Sequence, residues 1–483
     1  MAKTTVTKQP VKQLEKCPTG IEGLDEITEG GLPRGRPTLI CGAAGSGKTL
    51  LAMEFLVRGI TEFDEPGGFM AFEENADELA DNVASLSMDL KKLIKQKKLA
   101  IDYVYIERSE IEETGEYDLE GLFVRLGNMI DTIGAKRIVL DSIEALFGGL
   151  PNEGILRAEL RRLFRWLKEK GVTAIITGEK GDKTLTRHGL EEYVSDCVIF
   201  LDHRVIDQIA TRRLRVIKYR GSKHGTNEYP TMIDENGLSV LPISSLGLTY
   251  DVTNERVSSG IVEVDQMLEG KGYFKGSSVL ISGTAGTGKS SMAVAFANSV
   301  CQKGQKCLIF SFEESPDQII RNMGSIGYDL KKWLSKGLLK FHSIRPTSFG
   351  LEAHLVDLHK LVASFKPDAV VIDPITNLTS VGLNIEIKSM FTRIIDFLKN
   401  KHITTVFTSL TNAQGAEEMT DIGISSLMDT WILLQNPEIK GNRIRSMNVL
   451  KSRGMAHSSQ IREFMITGKG IKLMDFANDK GSN

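Results

Sequence analysis

Two short segments have the residue types and spacing to hold the phosphates of a nucleoside triphosphate. Gly42-Ala43-Ala44-Gly45-Ser46-Gly47-Lys48-Thr49 and Gly283-Thr284-Ala285-Gly286-Thr287-Gly288-Lys289-Ser290 both fit G-x-x-x-x-G-K-[ST]. The glycines let backbone N–H groups approach phosphate oxygens, and the start of the following helix adds a favourable dipole. Lys48 and Lys289 would meet the β- and γ-phosphates, and the Thr49 and Ser290 hydroxyls would bind Mg²⁺. Downstream, Phe-Glu-Glu occurs at 72–74 and again at 312–314. Glu73, Glu74, Glu313 and Glu314 are candidates to orient or deprotonate an attacking oxygen, and two adjacent acids raise the pKa of one of them. Each pair is expected to close a strand beside the one that carries the phosphate loop. Asp141 and Asp373 end apolar runs, so Thr49, Asp141, Ser290, Glu313 and Asp373 are the candidate magnesium ligands. Plainer readings stand beside these: a strand-terminal Asp caps the next turn, and an acid before a helix complements its dipole.

A third pattern, K-x-R-G-x-x-H, begins at Lys218 and at Lys451. It supplies Lys218, Arg220 and His224, then Lys451 and Arg453, with Tyr219 and Ser452 between the cations. Residues two apart on a strand share a face. A single such pair is usually a solvated surface, but its recurrence suggests a shared ligand. In a ring these cations could reach the γ-phosphate held by a neighbouring subunit and stabilise charge developing there.

The patterns recur in one order at nearly constant spacing. Lys48 and Lys289 are 241 positions apart, Glu73 and Glu313 240, Asp141 and Asp373 232, and Lys218 and Lys451 233. This is duplication of a domain rather than a short-repeat array. We expect a free N-terminus over 1–16, a first domain over 17–245, a linker at 246–257, a second domain over 258–475 and a short tail at 476–483. Within the first half PTLICG, GGFMAF, DYVYIE, RIVLD, TAIITG and CVIFL read as buried strands. LLAMEFLVRGI and LRAELRRLFRWLKEK between them have helical spacing, so the pattern predicts an α/β fold with a mostly parallel sheet flanked by helices. TRRLRVIKYRG reads as a late antiparallel strand.

Composition narrows the function classes. Of 483 residues 41% are hydrophobic and 25% charged, the profile of an ordinary globular chain. Lys and Arg number 60 against 62 Asp and Glu, so no global basic field draws in nucleic acid or anionic lipid. Cys17, Cys41, Cys197, Cys301 and Cys307 form no C-x-x-C pair and no metal spacing. The polar start MAKTTVTKQPVKQLEK and the lack of an 18-residue apolar run lead us to expect a cytoplasmic protein with no membrane partner.

Together with the openings TGIEGLDEITEGGLPRGRPTLICG and SSGIVEVDQMLEGKGYFKGSSVLISG and the late IREFMI, these motifs make the chain resemble the KaiC family of ATPases and autokinases. The resemblance runs from about Thr19 to Met474. It implies two tandem RecA-like domains and a homohexameric double ring with Mg·ATP between neighbours. The first tier would be a slow ATPase and the second a serine/threonine autokinase and autophosphatase, in circadian or stress-related timing. By position, Glu73 and Glu74 would serve hydrolysis, and Glu313 would be the base for autophosphorylation. Lys218, Tyr219, Arg220, His224, Lys451, Ser452 and Arg453 would complete sites across interfaces, with Ser85 among the nucleotide contacts.

The family's acceptors lie in ITDxxIST-like sequence, which here is MTDIGISSLMD, giving Ser425 and Ser426 with Thr420 nearby. By themselves two serines before a strand read as polar loop residues. Aligning Asp196 with Asp429 sets Glu192 and Tyr193 opposite them, so the acceptor pair exists only in the second half. Three departures matter: Pro374 replaces a serine, Ile326 replaces a tryptophan near the adenine, and little follows GIKLMDF. The last implies no stimulation by KaiA, whereas a KaiB-like partner stays in the expectation. The competing readings are a RecA/RadA-like DNA-dependent ATPase, whose hydrolysis DNA would stimulate, and an ATP-gated scaffold with little kinase activity.

Overall fold

The structure, a computed structural model, describes residues 14–104, 120–147, 153–181, 184–186, 195–206, 209–242, 253–381, 384–411, 424–439 and 441–474. The chain divides into two compact units, Met1–Ser244 and Ser245–Asn483.

The first unit opens with a two-stranded ribbon, β1 (Lys16–Cys17) against β2 (Leu32–Pro33). Its sheet holds β3 (Pro37–Gly42), β4 (Gly67–Ala71), β5 (Leu99–Tyr103), β6 (Arg137–Asp141), β7 (Thr173–Glu179), β8 (Cys197–Ile206), β9 (Ile209–Tyr219), β10 (Glu228–Asp234) and β11 (Gly237–Val240). They lie in the order β11-β10-β9-β8-β3-β7-β6-β4-β5. The pairs from β8 to β5 are parallel, and β9 to β11 continue the sheet antiparallel, as TRRLRVIKYRG predicted. The strand read at DYVYIE starts earlier, at Leu99, and residues 105–107 lie outside the described residues.

The helices are α1 (Leu24–Ile27), α2 (Lys48–Phe63), α3 (Ala76–Ala84), α4 (Leu90–Lys95), α5 (Glu120–Ile133) and α6 (Glu153–Glu169). The middle strand β3 is buried along its whole length, because both faces of a parallel sheet are covered. Leu39 and Cys41 point into the core shared with α5 and α6, and Ile40 into the core beneath α2, each at 0% exposure.

The second unit repeats the plan. A ribbon of β12 (Arg256–Val257) and β13 (Tyr273–Phe274) precedes β14 (Ser278–Gly283), β15 (Cys307–Ser311), β16 (Leu339–Ser343), β17 (Ala369–Asp373), β18 (Thr404–Leu410) and β19 (Thr430–Gln435). A small hairpin, β20 (Glu438–Ile439) with β21 (Asn442–Arg443), leads to β22 (Ser446–Ser452), β23 (Arg462–Thr467) and β24 (Gly470–Leu473). The order β16-β15-β17-β18-β14-β19-β22-β23-β24 matches the first sheet strand for strand. Its helices are α7 (Val262–Met267), α8 (Lys289–Gln302), α9 (Pro316–Gly324), α10 (Lys331–Ser335), α11 (Leu351–Phe365) and α12 (Asn384–Asn400). Each unit is thus a RecA-like α/β domain. No described helix is long and apolar enough to cross a membrane.

A buried charge network is built into the first unit. Arg137, fully buried at the start of β6, meets Glu65 at 2.7 Å and donates to the Phe55 and Pro18 carbonyls at 2.9 and 2.8 Å. Arg34 holds the other Glu65 oxygen at 2.7 Å. Burial works against the Glu65 charge, but Arg34 and Arg137 outweigh it and keep the carboxyl below its usual range. A Cβ on Gly59 would come within 2.5 Å of Arg137, so α2 needs glycine there to admit the guanidinium. In the second unit Ala369 stands where Arg137 stands in the first. Truncating one partner of a buried pair leaves an uncompensated charge. Arg137→Ala should therefore lower the stability of the first unit by about 3–5 kcal/mol in urea denaturation; an unchanged midpoint would refute the role given to the network.

In the second unit the His359 ring of α11 stacks on Phe397 of α12, centroids 3.5 Å apart. Burial, helped by the Lys401 ammonium, lowers the His359 pKa from 6.5 to about 4. A histidine kept neutral in this way contributes stability that is complete above pH 6.5 and is lost as pH falls toward about 4. The loss should reach about 2 kcal/mol once solvent screening of the half-buried ring is allowed for. Comparing unfolding at pH 7 and 4.5 for wild type and His359→Phe tests it: the variant should lose less, and an identical loss refutes the assignment.

Candidate nucleotide-binding sites

Each phosphate loop joins the C-terminal end of a central strand to a helix, β3 to α2 and β14 to α8. The helix is preceded by a left-handed glycine, Gly47 at φ 99° and Gly288 at φ 102°, a conformation that costs glycine little. A Cβ on Gly45 or Gly286 would meet nothing within 4 Å, so the crown of each loop is open to a ligand. Lys48 Nζ donates to the Gly42 and Ala43 carbonyls at 3.1 Å each, and Lys289 Nζ to Gly283 and Thr284 at 2.9 and 2.8 Å. Lys289 is buried, which lowers its pKa against the opposing pull of Asp373 and Glu313. Ser46 is buried and its counterpart Thr287 bonds the Thr284 carbonyl, whereas Ala43, Ala44 and Ala285 stand exposed on the loops.

The acids reach these loops by a route that the sequence did not show. β4 and β15, which carry the Phe-Glu-Glu segments, do not flank the phosphate-loop strands; two strands intervene, β7 and β6 in one unit, β18 and β17 in the other. The expected neighbour relation is therefore corrected. What joins the groups is the adjacent pair β4·β6, where Phe72 N–H donates to the Asp141 carbonyl at 3.0 Å, and Phe312 repeats this with Asp373 at 2.9 Å. Burial pushes the Asp141 carboxyl up and Glu73 adds to this, while hydroxyl hydrogen bonds from Thr177 and Thr49 and the Lys48 charge pull it down. Thr49, Lys48, Glu73 and Asp141 thus share one site. Thr408 bonds Asp373 as Thr177 bonds Asp141.

The members of each acid pair differ. Glu73 and Glu313 are exposed, while Glu74 and Glu314 are half-buried and bonded by Asn82 at 3.3 Å and Asn322 at 3.0 Å. Burial raises the Glu314 pKa, Asp373 adds to the rise and Glu313 contributes less. A cleft of about 190 Å³ opens at this pair, bounded also by Ser343 and Arg345. Ser142 donates to Glu73 Oε1 at 2.7 Å; Pro374, in the same place after Asp373, has no hydroxyl to offer Glu313. Sequence reasoning missed Thr177, Thr408, Asn82 and Asn322, although Asn82 and Asn322 recur at the 240-residue spacing of the acid pairs and Thr177 and Thr408 at 231, one short of the aspartates.

The other predicted residues, Ser85 apart, gather at the opposite end of the sheet. Lys218 pairs across β8 with Val198, and Lys451 across β19 with Trp431; in both units a register shift follows immediately. Such a bulge re-aims the side chains after it. Arg220 lies 3.6 Å from Asp196, which Lys168 also holds at 2.5 Å. Asp429 is likewise held by Lys399 at 2.7 Å and by the Ser278 N–H and hydroxyl at 2.9 Å each. Tyr219 is buried with its hydroxyl on the Gly31 carbonyl at 2.7 Å, and His224 stacks on its ring. Ser452 is buried against Thr430, and Ser85 is exposed at the end of α3. Ser425 and Ser426 form a 3-10 turn (Ser425–Leu427) just before β19. Thr420, Glu192 and Tyr193 lie outside the described residues.

Two RecA-like units, each presenting a phosphate loop, a strand-terminal aspartate and an acid pair at one sheet edge, define a tandem P-loop ATPase. The pattern of the family described as "ATPase: KaiC" matches residues 17–245 and 257–477, and the chain belongs to that family. It is 56% identical over 464 residues to "Circadian clock protein KaiC2" of a Synechocystis strain, covering 96% of this chain and 82% of that protein. It is 39% identical over 479 residues to "Circadian clock oscillator protein KaiC" of Thermostichus vulcanus, covering 98% and 92%. The KaiC of Synechococcus elongatus is 38% identical over 465 residues, with 96% and 89% covered.

Because Ser142 fixes one oxygen of Glu73, Ser142→Ala should slow ATP hydrolysis at the first site about tenfold, the worth of one hydrogen bond to a charged group. Phosphate release measured in a Glu313→Gln background isolates that site, and Ser142→Thr should retain the rate. A wild-type rate in Ser142→Ala would show that Glu73 needs no such support.

Proposed function

We propose that the chain forms a homohexameric double ring, hydrolyses Mg·ATP at its first site and phosphorylates itself on Ser425 or Ser426 through its second. One observation carries this reading. In the second unit the phosphate loop leaves β14 at its C-terminal end, whereas Asp429, just after the acceptor turn, hydrogen-bonds Ser278 at its N-terminal end. Six residues of strand span about 17–20 Å, far more than a hydroxyl can bridge to a γ-phosphate. The Lys451 and Arg453 cations stand at the acceptor end too. A chain with this layout completes its sites only when one copy's loop meets another copy's cations and serines, which favours nucleotide between neighbours.

At such an interface the serine Oγ attacks the γ-phosphorus and its proton passes to the Glu313 carboxylate of the adjacent copy. The bond from the γ-phosphorus to the β,γ-bridging oxygen breaks, and ADP leaves with that electron pair. In the first unit Glu73, with Glu74, orients water for the same displacement. Asp141 with Thr49, and Asp373 with Ser290 and Glu313, are hard oxygen donors that fit Mg²⁺. Mg²⁺ prefers one or two protein oxygens together with phosphate and water. The Asp141 carboxyl pushed up beside the Thr49 hydroxyl is a group whose charge a cation would restore. Bound there, the ion would neutralise charge building on the β- and γ-phosphate oxygens. The role in circadian timing is carried over from the relatives' names, whereas stress-related timing and a KaiB-like partner rest on the family resemblance of the sequence alone.

Incubation with Mg·ATP followed by peptide mass spectrometry should find phosphate on Ser425 or Ser426, and none in Glu313→Gln. Mixing Glu313→Gln chains with chains bearing Ser425→Ala and Ser426→Ala should restore phosphate on the former alone. Unmodified 420–430 peptides from the wild type, sized as hexamer by light scattering, would overturn the kinase reading in favour of a scaffold.

A further inference from the structure

The two cations of K-x-R in the second unit have a use besides phosphate. Lys451 Nζ donates to the Ser425 carbonyl at 2.8 Å, and Arg453 Nη2 to the Ser426 carbonyl at 2.7 Å. Each cation therefore holds the backbone of one candidate acceptor. The Ser425 carbonyl also accepts the Met428 N–H at 3.3 Å, and Leu427 N–H bonds the Ile424 carbonyl at 2.9 Å, so the turn is pinned from within and from β22. Behind it Asp429 anchors the end of the turn. Its carbonyl accepts the Arg453 N–H at 2.8 Å, and its carboxylate joins Lys399 to the start of β14. The Thr430 and Ser452 hydroxyls meet at 2.9 Å and lock the strand that bears the cations to the strand that follows the serines.

We propose that Lys451 and Arg453 are positioning residues for the acceptor turn, Lys451 setting the approach of Ser425 and Arg453 that of Ser426. Which serine receives phosphate then depends on which carbonyl is held, because a hydroxyl attacks in line only from a fixed backbone. A charge-assisted bond to each carbonyl gives a stronger hold than neutral donors would. This rests on the autokinase reading for its chemical consequence, while the clamp itself stands on the hydrogen bonds alone.

The test uses full-length wild type, Lys451→Met and Arg453→Met, which keep the aliphatic stems, and Lys451→Arg as the conservative rescue. Hydrogen exchange of the segment 424–428 needs no phosphorylation. Exchange at the Leu427 and Met428 amides should speed up about tenfold in Lys451→Met, the loss of one charge-assisted bond, and return toward wild type in Lys451→Arg. After Mg·ATP, the Ser425 to Ser426 phosphate ratio should fall several-fold in Lys451→Met and rise in Arg453→Met. If the cations serve phosphate alone, both serines lose label together and exchange stays as in wild type, which overturns the proposal. Faster exchange with an unchanged ratio overturns the assignment of one cation to each serine. A wild type that takes no phosphate sinks the kinase reading instead, and the exchange result still decides the clamp.

Discussion

The direction of one buried strand governs each unit. β3 and β14 run parallel to both of their neighbours, so everything that follows a strand's C-terminal end gathers at one edge of the sheet. The phosphate loop, the strand-ending aspartate and the acid pair all lie at that edge. The last strands reverse direction, and β9 and β22 deliver Lys218 and Lys451 back to the opposite edge. A unit therefore holds its phosphate loop and these cations at opposite ends of the sheet and cannot bring the two together. Under the proposed function, in which those cations act on phosphate, strand direction alone calls for a second copy to close the site.

Within this shared plan the two sites differ in how firmly the acids are held. Glu73 has a hydroxyl partner in Ser142, and the proline after Asp373 removes that partner from Glu313. A carboxylate that must orient a small water gains from having one oxygen fixed. A carboxylate that takes a proton from a serine on another chain is oriented in part by the approaching hydroxyl itself. The Glu314 carboxyl, its pKa raised by burial and by Asp373, is bonded by Asn322. These differences run in the direction that a hydrolytic first site and a transferring second site would need.

Much of this was legible in the sequence because it is local. A phosphate loop is eight consecutive residues, and the strands around it are short apolar runs, so neither needs tertiary information. The internal repeat added depth, since a motif found twice at one spacing is hard to dismiss as loop chemistry. Strand order was not legible: nothing in Phe-Glu-Glu says that β4 lies beyond β6, because order depends on how crossovers pack. Thr177 and Thr408 were hidden among strand residues, where threonine is unremarkable. Arg137 was hidden for the opposite reason, since an arginine opening a strand reads as solvated and its burial needs Glu65, Gly59 and two carbonyls supplied by distant segments.

The acceptor turn shows where sequence and structure inform each other most. Two serines before a strand are by themselves unremarkable, and two cations near a strand end equally so. The β-bulge between Trp431 and Ile432 brings them together by turning Lys451 toward the segment that precedes β19. Had the register run on without that shift, alternation would have placed Lys451 on the other face. The same bulge recurs in the first unit between Val198 and Ile199, where the aligned segment offers Glu192 and Tyr193 instead of serines. Duplication thus supplied the bulge in both units. In sequence the aligned positions differ by two residues, and the two units share strand order and phosphate loop, so only the second has hydroxyls before this strand.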